Sequence, residues 1–162
     1  MKLNLCGKLD SSLVNGEGIR TVIFGSGCSF RCQGCQNEFF QQPNCGTDFT
    51  IDEVKDIIYK NSECNKKRVT FSGGDPFFQA EAFAELAKQL KKEGFNIWCY
   101  TGYTIEDILS SPNKGFVELL ENIDVLVDGP FDITKVENAK KYTGSSNQRI
   151  IDVRNYLLNL NT

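Results

Sequence analysis

Apolar residues recur along this chain in two different periods, and the alternation between them lays out its elements. Five short apolar runs read as strands: Ile19 to Phe24, Arg68 to Ser72, Asn96 to Tyr100, Asp124 to Val127 and Gln148 to Asp152. Helical spacing fills the intervals. Ile51, Val54, Ile57 and Ile58 share one face of a helix predicted from Thr50 to about Lys60, opened by the capping box Thr50-Ile51-Asp52-Glu53. Phe83, Leu86, Ala87 and Leu90 do the same between Phe78 and Glu93, with Gly94 as the stop. Thr104 to Ser111 and Phe116 to Asn122 are helical pieces on either side of Pro112, and Val153 to Leu160 is a closing helix. Residues 1–19 read as an irregular or hairpin-like lead-in around the Asn15-Gly16 turn. Cys35 to Gln41 starts a short helix ahead of Pro43.

Strand and helix alternate about five times, the pattern of an α/β fold with a largely parallel sheet. A closed barrel of eight such units needs roughly 250 residues. The 162 residues here leave room for a partial, open barrel only, as a single domain over residues 1–162. In a parallel sheet the points just after the strands lie on one edge, where ligands bind. The polar and glycine-rich stretches all fall at such points: Gly27 to Asn37, Gly73-Gly74-Asp75, Thr101-Gly102-Tyr103 and Asp128-Gly129.

Charge and composition narrow the chemistry. A net charge of −3, with no basic block, lacks the footprint of a nucleic-acid binder. No window approaches the ~20 apolar residues that span a bilayer, and Met1 to Cys6 is too short and polar for a signal peptide. The expected compartment is the cytoplasm, where thiols stay reduced; seven cysteines, an odd number, also fit poorly with a fully paired disulfide framework. The chain has no histidine. That excludes serine–histidine triads, histidine zinc sites and two-histidine carboxylate iron sites. An enzyme so composed borrows its chemistry from a cofactor.

The cysteines point to which one. Cys28, Cys32 and Cys35 lie at spacing C-x3-C-x2-C directly after the first strand, in a loop that Gly25, Gly27 and Gly34 free to bend. Three thiolates on a cubane leave one iron open to substrate. A structural zinc site wants four ligands in a closed shell, and the fourth would have to be Cys45 or Cys64, neither of which has a neighbouring cysteine. Cys6 and Cys99 sit in apolar runs and read as small core residues; Cys45 and Cys64 read as loop or surface thiols. Gly73 and Gly74 let backbone groups approach a small ligand, and Asp75 is placed to receive an ammonium group. Thr101-Gly102-Tyr103 and Asp128-Gly129-Pro130 read equally as ligand contacts or plain turns. Gly144 to Arg149 is a donor-rich loop, fit for a nucleoside, a partner chain or solvent. Glu17 and Arg20 read as surface charges, and the pairs Phe39-Phe40 and Phe77-Phe78 as core.

The cysteine spacing followed by a Gly-Gly-acid turn resembles the radical S-adenosylmethionine superfamily. Within it, Val14 to Arg20, Cys28 to Asn37, Trp98 to Tyr103, Asp124 to Phe131 and Gly144 to Asp152 resemble the activators of anaerobic ribonucleoside-triphosphate reductase. Two positions depart: Gly34 replaces an aromatic residue often found before the last cysteine, and Phe30 stands where related activators carry histidine. The resemblance implies a radical S-adenosylmethionine core, a partial (open) βα barrel of about five to six largely parallel strands. It implies one 4Fe-4S cluster on Cys28, Cys32 and Cys35, whose open iron binds the amino and carboxylate groups of S-adenosylmethionine. Gly34, Cys35 and Gln36 would contact the adenine, and Gly73, Gly74 and Asp75 the methionine ammonium. An electron donor such as flavodoxin or ferredoxin would drive cleavage to a 5′-deoxyadenosyl radical, which takes hydrogen from a glycine of the reductase large subunit. The alternatives are an activator of another glycyl radical enzyme (pyruvate formate-lyase type), a small radical enzyme acting on a free metabolite, and a non-catalytic zinc-binding module.

Overall fold

The computed structural model describes residues 1–161, and its centre is one mixed sheet of seven strands in the order β3-β1-β2-β4-β5-β6-β7. The strands are β1 (Lys2–Ser12), β2 (Arg20–Gly25), β3 (Thr47–Thr50), β4 (Arg68–Gly73), β5 (Asn96–Tyr100), β6 (Val125–Asp128) and β7 (Arg149–Asp152). The helices are α1 (Ile51–Tyr59), α2 (Ser62–Asn65), α3 (Ala80–Lys92), α4 (Ile105–Ser110), α5 (Lys114–Glu121) and α6 (Val153–Leu160).

Only the centre is parallel. β2, β4, β5 and β6 run together, whereas β1, β3 and β7 pair antiparallel. The expectation of five to six largely parallel strands is corrected accordingly. The added strands are ones the apolar pattern does not mark. β3 is the polar stretch Thr-Asp-Phe-Thr, and the 11-residue β1 pairs antiparallel with β2 across residues 13–19, so the lead-in is the hairpin of the two expected forms and not the irregular one. The expected helix after Cys35 is a single 3-10 turn, Glu38–Gln41, and Pro76–Gln79 forms another before α3.

Helix boundaries follow from local chemistry. The Thr50 hydroxyl accepts from Glu53 N–H while the Glu53 carboxylate accepts from Thr50 N–H, so the capping box forms in full. Thr104, Asn113 and Asp152 cap α4, α5 and α6 in the same side-chain manner.

Side chains alternate across a strand, and here the two faces differ in kind. One face, with Ile23, Val69, Phe71, Ile97, Cys99 and Leu126, packs on Val54, Ile58, Phe83, Leu86 and Leu90 of the helices. The other carries Arg20, Val22, Thr70, Trp98, Tyr100 and Val127, buried or half-buried but outside that core. Loops, not helices, cover this second face. Arg20 is fully buried rather than a surface charge. Phe77 is core, whereas Phe39 and Phe78 are exposed, correcting the reading of both phenylalanine pairs. Cys99 is a core residue as expected. Cys6 is not: it is half-exposed and joined by a disulfide to Cys45. Their Cα atoms are 6.2 Å apart, within the span a disulfide bridges.

Candidate active site

The C-terminal ends of the four parallel strands meet around a cavity of about 690 Å³. After Gly25 the chain leaves β2 and forms the cysteine loop, which is laced to its neighbours by backbone hydrogen bonds. Gly27 and Cys28 N–H donate to Phe40 and Gln41 carbonyls at 2.8 and 3.1 Å, holding the loop to the 3-10 turn behind it. Gly74 and Asp75 N–H donate to Gly25 and Gly27 carbonyls at 2.9 and 2.8 Å, holding it to the turn after β4.

That lacing gives the two glycines a second reason. A Cβ on Gly74 would lie 2.3 Å from the Gly27 carbonyl oxygen and 2.4 Å from that of Phe40. One on Gly73, whose φ is +120°, would lie 2.3 Å from the Gly25 oxygen. Only glycines let the turn after β4 lie against the cysteine loop.

Cys28, Cys32 and Cys35 are all free thiols and all line the cavity, together with Gln36, Gly73, Gly74 and Asp75. Gly34 does not line it. Its φ is +77°, it faces outward, and a Cβ there would meet Ile133 at 2.6 Å, so its role is to turn the loop. Burial pushes the Cys28 thiol up to about 11, opposed by the Phe30 N–H at 3.4 Å from its sulfur. Among the described residues, no three His, Cys, Asp or Glu side chains are gathered tightly enough to hold a single metal ion. A tetrahedral zinc needs its sulfurs converged at about 2.3 Å from one point. A cubane instead takes each thiolate on a different iron. Three free thiols lining one cavity are the donor set that a cubane needs.

Asp75 is the buried anchor of the site, 2% exposed. Its carboxylate accepts from Phe77 N–H at 2.9 Å, from Gly102 N–H at 2.9 Å, and from the Thr101 hydroxyl, which spans both oxygens at 3.0 and 2.9 Å. Burial pushes its pKa up to about 6; the Gly102, Phe77 and Thr101 donors oppose that. Thr101-Gly102 is therefore the brace that fixes Asp75, and a Cβ on Gly102 would meet the Phe30 ring at 2.7 Å.

The other two candidate motifs separate. Asp128 faces the helices, where it accepts from Ile105 N–H and from Arg149, which also grips Glu106 in a two-point pair. This ties β6, β7 and α4 together and leaves Asp128 outside the cavity. Gly129 and Gln148 do line it. The Gln148 side chain accepts from Gly144 and Ser145 N–H and donates to the Gly129 carbonyl, so the donor-rich loop mostly bonds itself into place. Strand spacing had marked these turns. Val14 and Asn15, in a segment marked by its turn and by the family resemblance, also reach the cavity; Tyr142 does too and carried no signal, because it lies in a loop between elements.

A family model described as a 4Fe-4S single cluster domain matches residues 14–151. The chain is similar to anaerobic ribonucleoside-triphosphate reductase-activating proteins from several sources. It is 33% identical to that of Enterobacteria phage T4 over 141 residues, covering 85% of this chain and 86% of the relative. For Vibrio cholerae the identity is 35% over 144 residues, covering 85% and 90%. For Escherichia coli it is 32% over 148 residues, covering 88% and 94%. Among solved structures, QueE from Escherichia coli has a similar fold, with a TM-score of 0.54 at 15% identity. The likeness covers 64% of this chain, which spans about half of QueE's length (54%). The chain belongs to the family of anaerobic ribonucleoside-triphosphate reductase-activating proteins, built on a 4Fe-4S single cluster domain.

Proposed function

We propose that this protein is a radical S-adenosylmethionine enzyme that installs a glycyl radical on the large subunit of an anaerobic ribonucleoside-triphosphate reductase. The observation that carries the reading is the shared cavity of Cys28, Cys32, Cys35, Gly73, Gly74 and Asp75 at the parallel strand ends. Family membership supports the partner. The parallel centre of the sheet, together with the fold likeness to QueE, supports reading it as a partial, open barrel.

Cys28, Cys32 and Cys35 would hold the 4Fe-4S cluster by three of its irons. When bound, the cluster supplies one electron that splits the sulfonium S–C5′ bond of S-adenosylmethionine, giving methionine and the 5′-deoxyadenosyl radical that abstracts a glycine hydrogen. The chain's own work is positioning and exclusion of water. The start of the cysteine loop, Gly25 to Cys28, is held on both sides by backbone bonds, which supports a loop whose shape precedes loading. Phe77, Gly102 and Thr101 make four contacts to the two Asp75 oxygens, so what we assign to Asp75 toward the methionine ammonium is its negative charge at the cavity wall. Cys35 and Gln36 line the cavity and would contact the adenine, with Gly34 shaping the turn. Phe24, Tyr100 and Phe131 give the cavity apolar walls.

An external one-electron donor of flavodoxin or ferredoxin type completes the scheme. No helix among the described residues is long and apolar enough to cross a membrane. The test is anaerobic reconstitution with iron and sulfide, reduction with dithionite, and assay of 5′-deoxyadenosine. Wild type is expected to form it and Cys32→Ala to form none. Retained cleavage in Cys32→Ala, or uptake of zinc without iron, would sink the assignment.

A further inference from the structure

A second cavity, of about 820 Å³, lies on the same sheet face at the opposite ends of the parallel strands. Arg20, Arg68, Asn96, Trp98 and Val125 form its floor, four of them from the starts of their strands and Trp98 from the middle of β5. This floor is rigid. Arg20 is fully buried and donates to Thr70, Glu17, Val69 and Asn96, with its guanidinium 5.6 Å from the Trp98 ring centre.

The partition between the two cavities is much lighter. Lys140, Lys141 and Tyr142 line both. The Tyr142 ring stands edge-on to Trp98 at 5.4 Å, and its carbonyl accepts the Tyr100 hydroxyl at 2.6 Å. The other hydrogen bonds of residues 136–144 are internal, Ala139 to Val136 and Thr143 to Lys140, until Gly144 meets Gln148. Residues 133–141 are exposed apart from half-buried Ala139, and Tyr142 has a φ of +72°, which a bulky side chain disfavours.

We propose that residues 136–144 are a movable partition with Tyr142 as its stopper, and that the second cavity is the inlet for an extended polypeptide segment of the macromolecular substrate. The proposal rests on the reading that the hydrogen donor is a glycine within a protein chain. Joined, the cavities run the length of β2, about 17 Å from Arg20 to Gly25 at the rise of a strand, or about five extended residues. A segment lying on this face has Trp98 beneath it at the inlet and the cysteines at its inner end. Of the charged groups that line the inlet, Arg20 has its donors taken by Thr70, Glu17, Val69 and Asn96, which leaves Glu17 and Asp152 with Arg68, Lys140 and Lys141; groups of both signs can meet the N–H and C=O groups of an extended main chain.

Trp98 is the chain's one tryptophan and is 4% exposed, so its fluorescence reports the partition. The probe is a short tryptophan-free synthetic peptide centred on the acceptor glycine of the reductase, added to the reconstituted protein. Saturable change in Trp98 emission and in its quenching by acrylamide is expected. Tyr142→Gly is expected to bind the peptide several-fold more tightly, because it removes the ring that stands against Trp98 and blocks the passage, and apparent affinity scales with the open fraction. Val125→Phe narrows the inlet from outside the cysteine cavity. It is expected to weaken peptide binding several-fold and to raise the ratio of 5′-deoxyadenosine to glycyl radical. Equal affinity in wild type and Tyr142→Gly, or an unchanged ratio in folded Val125→Phe, overturns the proposal. Absence of S-adenosylmethionine cleavage in wild type would instead overturn the functional reading beneath it.

Discussion

A carboxyl group sealed from water among three donors answers to two opposed forces, and at Asp75 burial is the larger. Its pKa stands at about 6 against an ordinary 3.8, so the folded protein holds this proton more tightly than the unfolded chain. Between those two values the native state binds more protons, and the Asp75 contribution to stability falls as pH rises from about 4 to about 6. The gap is worth about 3 kcal/mol at most. Other carboxylates work the other way. The Arg149 guanidinium holds Glu106 down at about 2, but that pair is largely exposed and solvent screens it. Comparison with Asp75→Asn isolates the effect. In urea unfolding of the cluster-free protein, the stability difference, wild type minus variant, is expected to shrink as pH rises through this window. Parallel curves from pH 4 to pH 7 would refute it. At this scale the sequence is informative about residue types and silent about their braces. An acid after Gly-Gly, just past a strand, is legible; that Thr101 secures it from 26 positions away is a property of adjacent strand ends.

At the scale of elements, the piece that carries the cysteines is fastened at both ends. Cys6 in β1 and Cys45 just before β3 close a loop with a sequence separation of 39, which contains β2 and all three cluster-site thiols. Chain-entropy arguments put the stabilisation from closing such a loop at about 4 kcal/mol. For a chain of this size that is on the order of 10 °C in melting temperature. Calorimetry of the cluster-free protein should show a fall of this order on adding a thiol reductant, with Cys45→Ser already at the lower temperature and unmoved by reductant. A wild-type melt indifferent to reductant would exclude the clamp. The apolar pattern read the four parallel strands and the capped helices because each buries a full face on the core. It missed β3, whose residues are polar and mostly exposed, and it missed the reach of β1, which is exposed from Lys8 to Ser11. A strand held by one neighbour and by a disulfide need not bury enough apolar surface to announce itself. An odd count of cysteines likewise argues against a complete framework, not against a single pair.

For the molecule as a whole, what matters is that one sheet divides two environments. Helices and a continuous apolar core lie on one side; on the other, loops roof Arg20, Trp98 and Tyr100 and the two cavities. A near-continuous apolar run in the central strands goes with cover on both faces, and Val22, Thr70, Trp98 and Val127 are indeed buried like their core-facing neighbours. It does not distinguish a cover of helix from a cover of loop, so the roof over the second face was the part of the fold least legible beforehand. The division sets up a test of whether residues 1–162 unfold as a single domain. Far-ultraviolet circular dichroism follows the helices on the core side. Trp98, pinned between Arg20 and Tyr142, follows the cavity side. Because every strand but those at the edges contributes side chains to both faces, neither side can come apart while the sheet persists. Guanidinium titration of the cluster-free protein is therefore expected to give one transition, with the same midpoint and slope by both probes. A Trp98 transition at lower denaturant than the helical signal would show that the roof opens as a unit of its own, and that the cavity side folds as a layer laid over an independently stable core.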